Sequence, residues 1–452
     1  MKIKWIYLLC SFLLFLNACN NDDSEGADIT KLSPQDCPNS ETELKIAEEL
    51  NADYAHVFDG ADPATEDSTL TPLIDFLGDA KLVGLGESTH GTSEFFKMKD
   101  KIFRQLVTKK DFKAIVFEIP WGNALKVNDF VTKGVSTAEE SVDQTYYWVY
   151  NTKEVEALAQ WMHDYNLNAG EDEKIFFVGC DPQGGDFKIE YNLVADYLSE
   201  VQPDSVSAVL DNYESLPTEL SDYGDATADV KELNRIGTKR VFDYLEQRRE
   251  EFISLTSFLE FEMALMASHV IQHREYIYRI GDSGWPRDSL MAVYSEWWQR
   301  ILSPNAKVAI WAHNSHVMNA KYYNAPWMGT ALRERHPYDY KIVGFSFGIG
   351  SLNAFLAGDR RQFIGTVRSQ TIPEYQCNSL NQLFSLVEGD QHYIIFNEVK
   401  GESQAFFNEE HRFIQCGAGF NYKYIGNYVI DWRLSRLFDV IIHFDETSAS
   451  VF

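Results

Sequence analysis

The chain has 452 residues, of which 45% are hydrophobic and 24% charged, a composition typical of a folded globular protein and not of a disordered one. Its length allows two or three domains, or one α/β domain with an insertion. The formal net charge of −28 argues against a nucleic-acid partner, because phosphate binding requires a basic surface that the sequence does not contain. A neutral or cationic small molecule is the favoured partner.

The first 18 residues have the pattern of an export signal. Lys2 and Lys4 precede an apolar run over residues 5–16, which is too short to span a bilayer as a mature helix, and Leu16-Asn-Ala-Cys19 follows. This pattern resembles a bacterial lipoprotein signal with its lipobox. It predicts cleavage before Cys19 and a membrane anchor of acyl chains on that cysteine. A secreted protein without an anchor is the alternative.

Residues 19–40 are polar and lack periodic apolar positions, so we expect a flexible tether there and a folded domain over residues 41–452. The predicted location is the cell envelope, as an outer-membrane lipoprotein that faces either the periplasm or the outside. The oligomeric state stays open at this point.

The remaining cysteines are widely scattered and show no CxxC spacing typical of metal sites. Cys377 and Cys416 are candidates for a disulfide bridge in an exported protein. Cys180 is an equal candidate for a buried free thiol, and Cys37 lies in the tether. No pattern in the sequence indicates a cofactor.

The stretch around Glu87 combines a buried strand with chemically reactive side chains. The apolar run 81–85 is followed by Gly86, Glu87 and His90, and Thr92 then opens a segment with helical spacing. A carboxylate and an imidazole therefore lie on a strand-to-helix turn. Ligands of open α/β sheets bind at such turns, at the carboxyl ends of the strands.

Two further predicted strands end in carboxylates. Residues 112–118 end in Glu118 before a turn forced by Pro120, and residues 174–181 end in Asp181. Helical spacing separates the strands, which is typical of βαβ units. The sequence therefore predicts the α/β class, with a mainly parallel β-sheet core flanked by helices and three carboxylates along one edge.

Between about 187 and 302 the strand pattern gives way to long charged segments with helical spacing. We expect a large helical insertion there that covers the active-site edge of the sheet. The strand pattern resumes at Ala306–Trp311, and His313 and His316 follow it directly. The last predicted strands cover residues 340–348, 392–396 and 439–443.

The histidines at two strand ends suggest a single site. If Glu118 joins them, Glu87, His90, His313 and His316 bring two carboxylates and three imidazoles together. In one chemistry a carboxylate orients His90, which acts as a general base on water while a second group stabilises the oxyanion. In the other, the same histidines and a carboxylate bind a divalent metal that activates the water. The spacing alone does not decide between them.

A serine-hydrolase pattern is also present. Gly344-Phe-Ser346-Phe-Gly348 follows a strand, and His392 or His443 could serve as its base. A nucleophile turn leads straight into a helix, however, and no helix start follows Ile349. The flanking phenylalanines are typical of strand packing, so the pattern disfavours Ser346 as a nucleophile.

Five stretches occur in the order of the motif set of the erythromycin esterase family, which the sequence resembles over roughly residues 40–445. They are Leu85-Gly-Glu87-Ser-Thr-His90-Gly91 with Glu94-Phe-Phe-Lys-Met-Lys99 after it, Phe117-Glu118-Ile-Pro-Trp121, Arg287-Asp288-Ser-Leu-Met291-Ala292, Trp311-Ala-His313-Asn-Ser-His316-Val317 and Gly344-Phe-Ser-Phe-Gly348. The resemblance implies an α/β core with a helical insertion. It also implies metal-independent ester hydrolysis, as in macrolide-resistance members, which open a lactone ring.

The resemblance also assigns roles to matching positions. His90 would be the base that activates water, and Glu87 and Glu118 would orient it. His313 and His316 would line the same cleft as positioning or oxyanion-stabilising groups. The expected substrate contacts are Lys99, Trp121, Arg287 and Asp288. The family often carries arginine at the position of Lys99, and lysine lacks the planar fork of arginine.

The sequence leaves the substrate open. A small-molecule ester is expected, but a macrolide, an acylated saccharide and a lipid-like ester are all compatible with the aromatic content of the chain. Two alternatives to the metal-free esterase remain. One is a metal-dependent hydrolase that uses the same histidines, and the other is a ligand-binding surface lipoprotein without catalytic activity.

Overall fold

The computed structural model describes residues 37–216, 220–281, 284–322 and 325–452. The predicted signal peptide, the predicted lipidation site at Cys19 and most of the predicted tether lie outside these residues. Within them, no helix combines the length and apolar character required to cross a membrane.

The described residues form one large mixed sheet and two small two-stranded sheets. The strands are β1 (Ala55–Val57), β2 (Leu82–Leu85), β3 (Phe112–Pro120), β4 (Phe176–Asp181), β5 (Lys307–Trp311), β6 (Lys321–Tyr322), β7 (Ala325–Pro326), β8 (Tyr340–Ala357), β9 (Phe363–Ile372), β10 (Gln391–Ile395), β11 (His411–Ile414), β12 (Gly419–Phe420), β13 (Val429–Trp432) and β14 (Val440–Thr447).

Helices pack on both faces of the large sheet. The α-helices of the described residues are α1 (Glu41–Glu49), α2 (Thr71–Gly78), α3 (Ser93–Lys110), α4 (Trp121–Lys133), α5 (Ala138–Val142), α6 (Lys153–Asn168), α7 (Phe187–Val201), α8 (Val206–Leu210), α9 (Ala228–Glu246), α10 (Arg249–Leu255), α11 (Phe258–Ile280), α12 (Trp285–Leu302), α13 (Asn314–Val317), α14 (Met328–Arg335), α15 (Leu380–Phe384), α16 (Gly401–Phe407) and α17 (Leu434–Leu437).

The large sheet has a parallel centre. Its main strand order is β1-β10-β14-β8-β2-β5-β3-β4, and all neighbours from β14 to β4 run parallel. The pairs β1·β10, β10·β14 and β8·β9 are antiparallel. The predicted α/β class with a mainly parallel core is confirmed. Because β2, β5, β3 and β4 are consecutive neighbours, the residues at their carboxyl ends converge on one edge.

Successive residues of the central strands point into two separate cores. In β5, Val308 and Ile310 pack into one core, and Ala309 and Trp311 pack into the other. A parallel sheet covered by helices on both faces requires this pattern, which explains why successive residues of its central strands are mostly apolar. The predicted helical insertion is present as α7–α12, which lie between β4 and β5 in the chain.

The disulfide prediction is wrong in its pairing. Cys377 bonds to Cys37, which is 340 residues away in the sequence, and Cys416 is a buried free thiol. Cys37 lies shortly before α1, so the bond fastens the start of the folded domain to the segment before α15. Cys180 is buried and free as well, which is one of its two predicted states.

Candidate active site

Glu87 and His90 lie on the turn between β2 and α3. Two glycines allow the tight course of this turn. A Cβ on Gly86 would lie 2.2 Å from the side-chain oxygen of Asn314, and Gly91 has a positive φ of 67°. Within the turn, Glu87 Oε1 lies 2.5 Å from His90 Nδ1. The Glu87 side chain is fully buried, whereas that of His90 is 11% exposed.

Lys99 lies beneath this pair, on the buried face of α3. Its ammonium donates to Glu87 Oε2 and lies 4.2 Å from the ring centroid of Trp311. Burial lowers the pKa of Lys99 to about 8, although Glu87 opposes the shift. Burial raises the pKa of Glu87, but Lys99 and His90 outweigh it, so the pKa is lowered and the carboxylate is ionised.

The sequence predicts that Lys99 contacts substrate, but the structure places its side chain beneath Glu87 and away from the surface. The side chain has no exposed surface, and its hydrogen bond to Glu87 connects it to the turn that carries His90. Trp121 was also a predicted substrate contact. It is fully buried between α4 and α12, with its ring 5.9 Å from those of Trp297 and Trp298. Both residues belong to the supporting structure of the site.

Glu118, near the end of β3, connects three parts of the site. Its Oε2 accepts the backbone N–H of His313 at 3.0 Å, and its Oε1 accepts from Arg287 Nη2 at 2.9 Å. The same Oε1 lies 3.1 Å from His316 Nε2. Burial raises the pKa of Glu118, but the charges of His316 and Arg287 outweigh burial and hold the pKa well below its usual range.

Arg287, in the first turn of α12, is held by a carboxylate that was not among the predicted site residues. Its Nε and Nη2 donate to the two oxygens of Asp181 at 3.0 and 2.7 Å, an ideal arrangement for the planar guanidinium. Tyr147 donates a further hydrogen bond to Asp181 at 3.0 Å. The position of Asp181 at a strand end was the signal in the sequence that could have identified it.

His316 lies between two carboxylates. Its Nδ1 is 2.8 Å from Asp288 Oδ1, and its Nε2 faces Glu118. Burial lowers the pKa of His316, but the two carboxylates outweigh burial and raise the pKa to about 10. His316 is therefore an imidazolium at neutral pH, and each of its N–H groups donates to a carboxylate.

His313 has the opposite character. Its Nδ1 accepts the backbone N–H of Ser315 at 3.1 Å, so its Nε2 carries the proton and donates to the carbonyl of Cys416 at 3.2 Å. Burial and the neighbouring His90 lower the pKa of His313 to about 3. It is a neutral ring with both nitrogens engaged, and its ring centroid lies 4.9 Å from that of His90.

The serine-hydrolase pattern does not form a nucleophile turn. Ser346 lies inside β8, has no exposed surface and contacts His443 Nδ1 at 3.1 Å within the core. The chain continues as a strand to Ala357, as the absence of a helix start predicted. No group of three or more His, Cys, Asp or Glu side chains is disposed to hold a metal within the part of the chain that the structure describes.

The structure thus brings together Glu87, His90, Glu118, Asp181, Arg287, Asp288, His313 and His316 at the carboxyl edge of the sheet. The mainly parallel sheet and its helical insertion define a protein of α/β architecture, and this cluster of acids, histidines and one arginine forms its candidate active site.

Comparison with known proteins identifies the family. The model of the erythromycin esterase family matches residues 107–447, and the chain belongs to this family. Erythromycin esterase type II of Escherichia coli is 23% identical over 301 residues, which cover 61% of this chain and 71% of that protein.

Solved structures of other proteins share the fold. A succinoglycan biosynthesis protein superposes with a TM-score of 0.80 and 25% identity, over 92% of this chain and all of that chain. A histidine variant of the erythromycin esterase EreC in its open conformation superposes with a TM-score of 0.67 and 16% identity, over 88% and 98% of the two chains. The α/β core with its insertion is therefore the fold of the family.

Proposed function

We propose that the protein hydrolyses carboxylic esters, with His90 as the general base that deprotonates the attacking water. The 2.5 Å contact between Glu87 Oε1 and His90 Nδ1 carries this proposal. Glu87 is ionised and can only accept, so Nδ1 carries the ring proton and Nε2 presents a lone pair. The exposed part of His90 makes the ring accessible to water and substrate.

Arg287 is the best placed group to stabilise the oxyanion. The N–H groups of His313 and His316 donate to protein acceptors, so neither ring has a donor left for the substrate. Arg287 Nη1 lies 3.3 Å from His316 Nε2, but two protonated nitrogens cannot share a hydrogen bond. The N–H groups of Nη1 are thus available, and its side chain is 15% exposed. The positive charge of His316 adds to the favourable potential.

The reaction follows from these roles. Water attacks the ester carbonyl as its proton moves to His90 Nε2, and Glu87 stabilises the resulting imidazolium. The tetrahedral intermediate places its negative oxygen near Arg287 Nη1. When the bond to the leaving alcohol breaks, Nε2 returns the proton to the departing oxygen, and the products are a carboxylic acid and an alcohol.

An ester panel tests the proposal. It should include simple aryl esters, a macrolide lactone and acylated saccharides, the last because one structural neighbour is named for succinoglycan biosynthesis. Removing a general base costs roughly 10²–10⁴-fold in rate, so His90→Ala should lose at least that much. His411→Gln serves as the control and should keep parental activity. His411 lies in β11, and its ring stacks on that of Phe406 in α16.

The same panel separates the alternatives. A His90→Ala variant as active as the parent would remove His90 from the mechanism. Metal analysis of the purified protein and loss of activity in a chelator would favour the metal-dependent hydrolase. If the parent and His90→Ala both retain an ester ligand and neither hydrolyses it, the result would favour a ligand-binding lipoprotein without catalytic activity.

We further propose that acyl chains on Cys19 anchor the protein to a membrane of the cell envelope. The support is the pattern of residues 1–19, namely two lysines, a short apolar run and a small residue before cysteine. Expression of Cys19→Ala should move the protein from the membrane fraction to the soluble fraction, and mass spectrometry of the parent should find an acylated Cys19. An unmodified cysteine in a membrane-free protein would contradict the proposal.

A further inference from the structure

We infer that Gly417 determines specificity by keeping open the space beside His90 Nε2 for a bulky acyl group. The inference rests on the proposed ester hydrolysis, and it adds a residue and a substrate class to it. Gly417 lies in the short connection between β11 and β12, which runs beside His90 and His313.

The connection is fixed on both sides of Gly417. The backbone N–H of Cys416 donates to the carbonyl of Ser88 at 2.7 Å, and the carbonyl of Cys416 accepts from His313 Nε2 at 3.2 Å. On the other side, the carbonyl of Ala418 accepts the N–H of Phe355 at 2.8 Å. Gly417 is therefore held at a defined distance from the catalytic turn.

Backbone conformation does not require glycine at this position. Gly91 has a positive φ, which an L side chain rarely adopts, but Gly417 is not among the glycines with positive φ. Close packing does not require glycine either. A Cβ on Gly86 would collide with Asn314 at 2.2 Å, whereas a Cβ on Gly417 would meet no described atom closer than 3.9 Å.

The two atoms at 3.9 Å are Cδ2 and Nε2 of His90, which form the reactive edge of the ring. No other described atom, apart from the chain neighbours, lies within 4 Å of that Cβ position. A side chain at position 417 would thus enter otherwise open space next to the nitrogen that receives the proton from water. The attacked carbonyl must lie within contact distance of that water, so the group bonded to it needs this space.

An acyl-chain series tests the inference with purified protein. The probes are p-nitrophenyl acetate and p-nitrophenyl 2-methylpropanoate, which share a leaving group and differ in the bulk of the acyl part. One methyl group in a tight pocket is worth roughly 10–200-fold in discrimination, so Gly417→Ala should lose about tenfold or more on the branched ester and little on the acetate. Gly417→Val should lose activity on both esters.

Gly426 provides a matched control, because it also lacks a positive φ and a Cβ there would meet no atom within 4 Å. Gly426→Ala and Gly426→Val should keep the parental ratio of the two esters. Thermal unfolding checks that each variant folds. If Gly417→Val does not fold, the ester ratio of Gly417→Ala alone tests the inference.

The outcomes distinguish this inference from the proposed function. Loss of activity in His90→Ala, together with an unchanged ester ratio in Gly417→Ala, would overturn the role of Gly417 and leave the proposed hydrolysis standing. Full activity in His90→Ala would remove His90 from the mechanism, and no turnover of either ester by the parent would overturn the proposed hydrolysis. A selective loss on the branched ester would support both.

Discussion

Lys99→Met tests whether the buried ammonium beneath Glu87 both stabilises the fold and keeps the catalytic carboxylate ionised. Methionine fills much of the lysine volume between Phe96 and Trp311 but removes the charge. Neither Lys99 nor Glu87 has an exposed side chain, so the substitution leaves a buried carboxylate with His90 as its remaining partner.

The magnitude follows from burial. Removing one member of a buried ion pair costs about 3–5 kcal/mol, which is a large share of the roughly 5–15 kcal/mol that stabilises a typical domain. Replacing both members is far less costly, so Lys99→Met combined with Glu87→Gln should recover part of the loss. Lys99→Arg keeps the charge and should stay closer to the parent in stability than Lys99→Met.

The kinetic consequence has a defined sign. Lys99 lowers the pKa of Glu87, so Lys99→Met should raise that pKa, and the loss of activity on acidification should begin at a higher pH. The stability that ionised Glu87 contributes is lost as the pH falls through its folded pKa. Lys99→Met raises that pKa and so reduces this contribution, and the free energy of unfolding should fall less on acidification in the variant than in the parent.

Denaturant unfolding of the parent, Lys99→Met, Glu87→Gln and the double variant measures the energetic coupling between Lys99 and Glu87. The pH–rate profiles of the parent and Lys99→Met measure the pH at which activity is lost on acidification. Single-variant losses that simply add in the double variant would show that Lys99 and Glu87 do not stabilise each other. An unchanged acidic limb in Lys99→Met would show that Lys99 does not control the charge of Glu87.

Three further predictions concern other parts of the molecule. The folded pKa of His316 is raised from 6.5 to about 10, so the free energy of unfolding should decrease as pH rises through this range, and His316→Gln should lack this decrease in urea titrations. Burial lowers the pKa of His392 to about 3, and neither of its nitrogens has a hydrogen-bond partner among the described residues. His392→Phe should therefore resist unfolding between pH 6.5 and pH 3 better than the parent, and equal acid midpoints would contradict this. Mass spectrometry of a non-reduced digest should find the Cys37–Cys377 peptide pair, and a peptide pair containing Cys416 would refute the observed pairing.

Local patterns in the sequence predicted the central strands of the sheet and the reactive turns, but not β1, β9 or β12. Apolar runs that end in Glu87, Glu118 and Asp181 report buried parallel strands with carboxylates at their carboxyl ends. Parallel neighbours in one sheet bring these ends to the same edge. The prediction that His90 and His313 lie close together therefore needed only the strand assignments and the direction of the strands.

Only the tertiary structure decided which side chains became partners. The sequence pattern of α3 predicts that Lys99 lies on a helix. It does not show that the ammonium lies under Glu87 without exposed surface. The neutral state of His313 depends on a donor from α13, the Ser315 N–H, and on an acceptor before β12, the Cys416 carbonyl. The cationic state of His316 depends on the carboxylates of Asp288 in α12 and Glu118 in β3. Hydrophobic periodicity reports which face of an element is buried, but hydrogen bonds and ion pairs depend on side chains that distant segments bring within about 3 Å of each other.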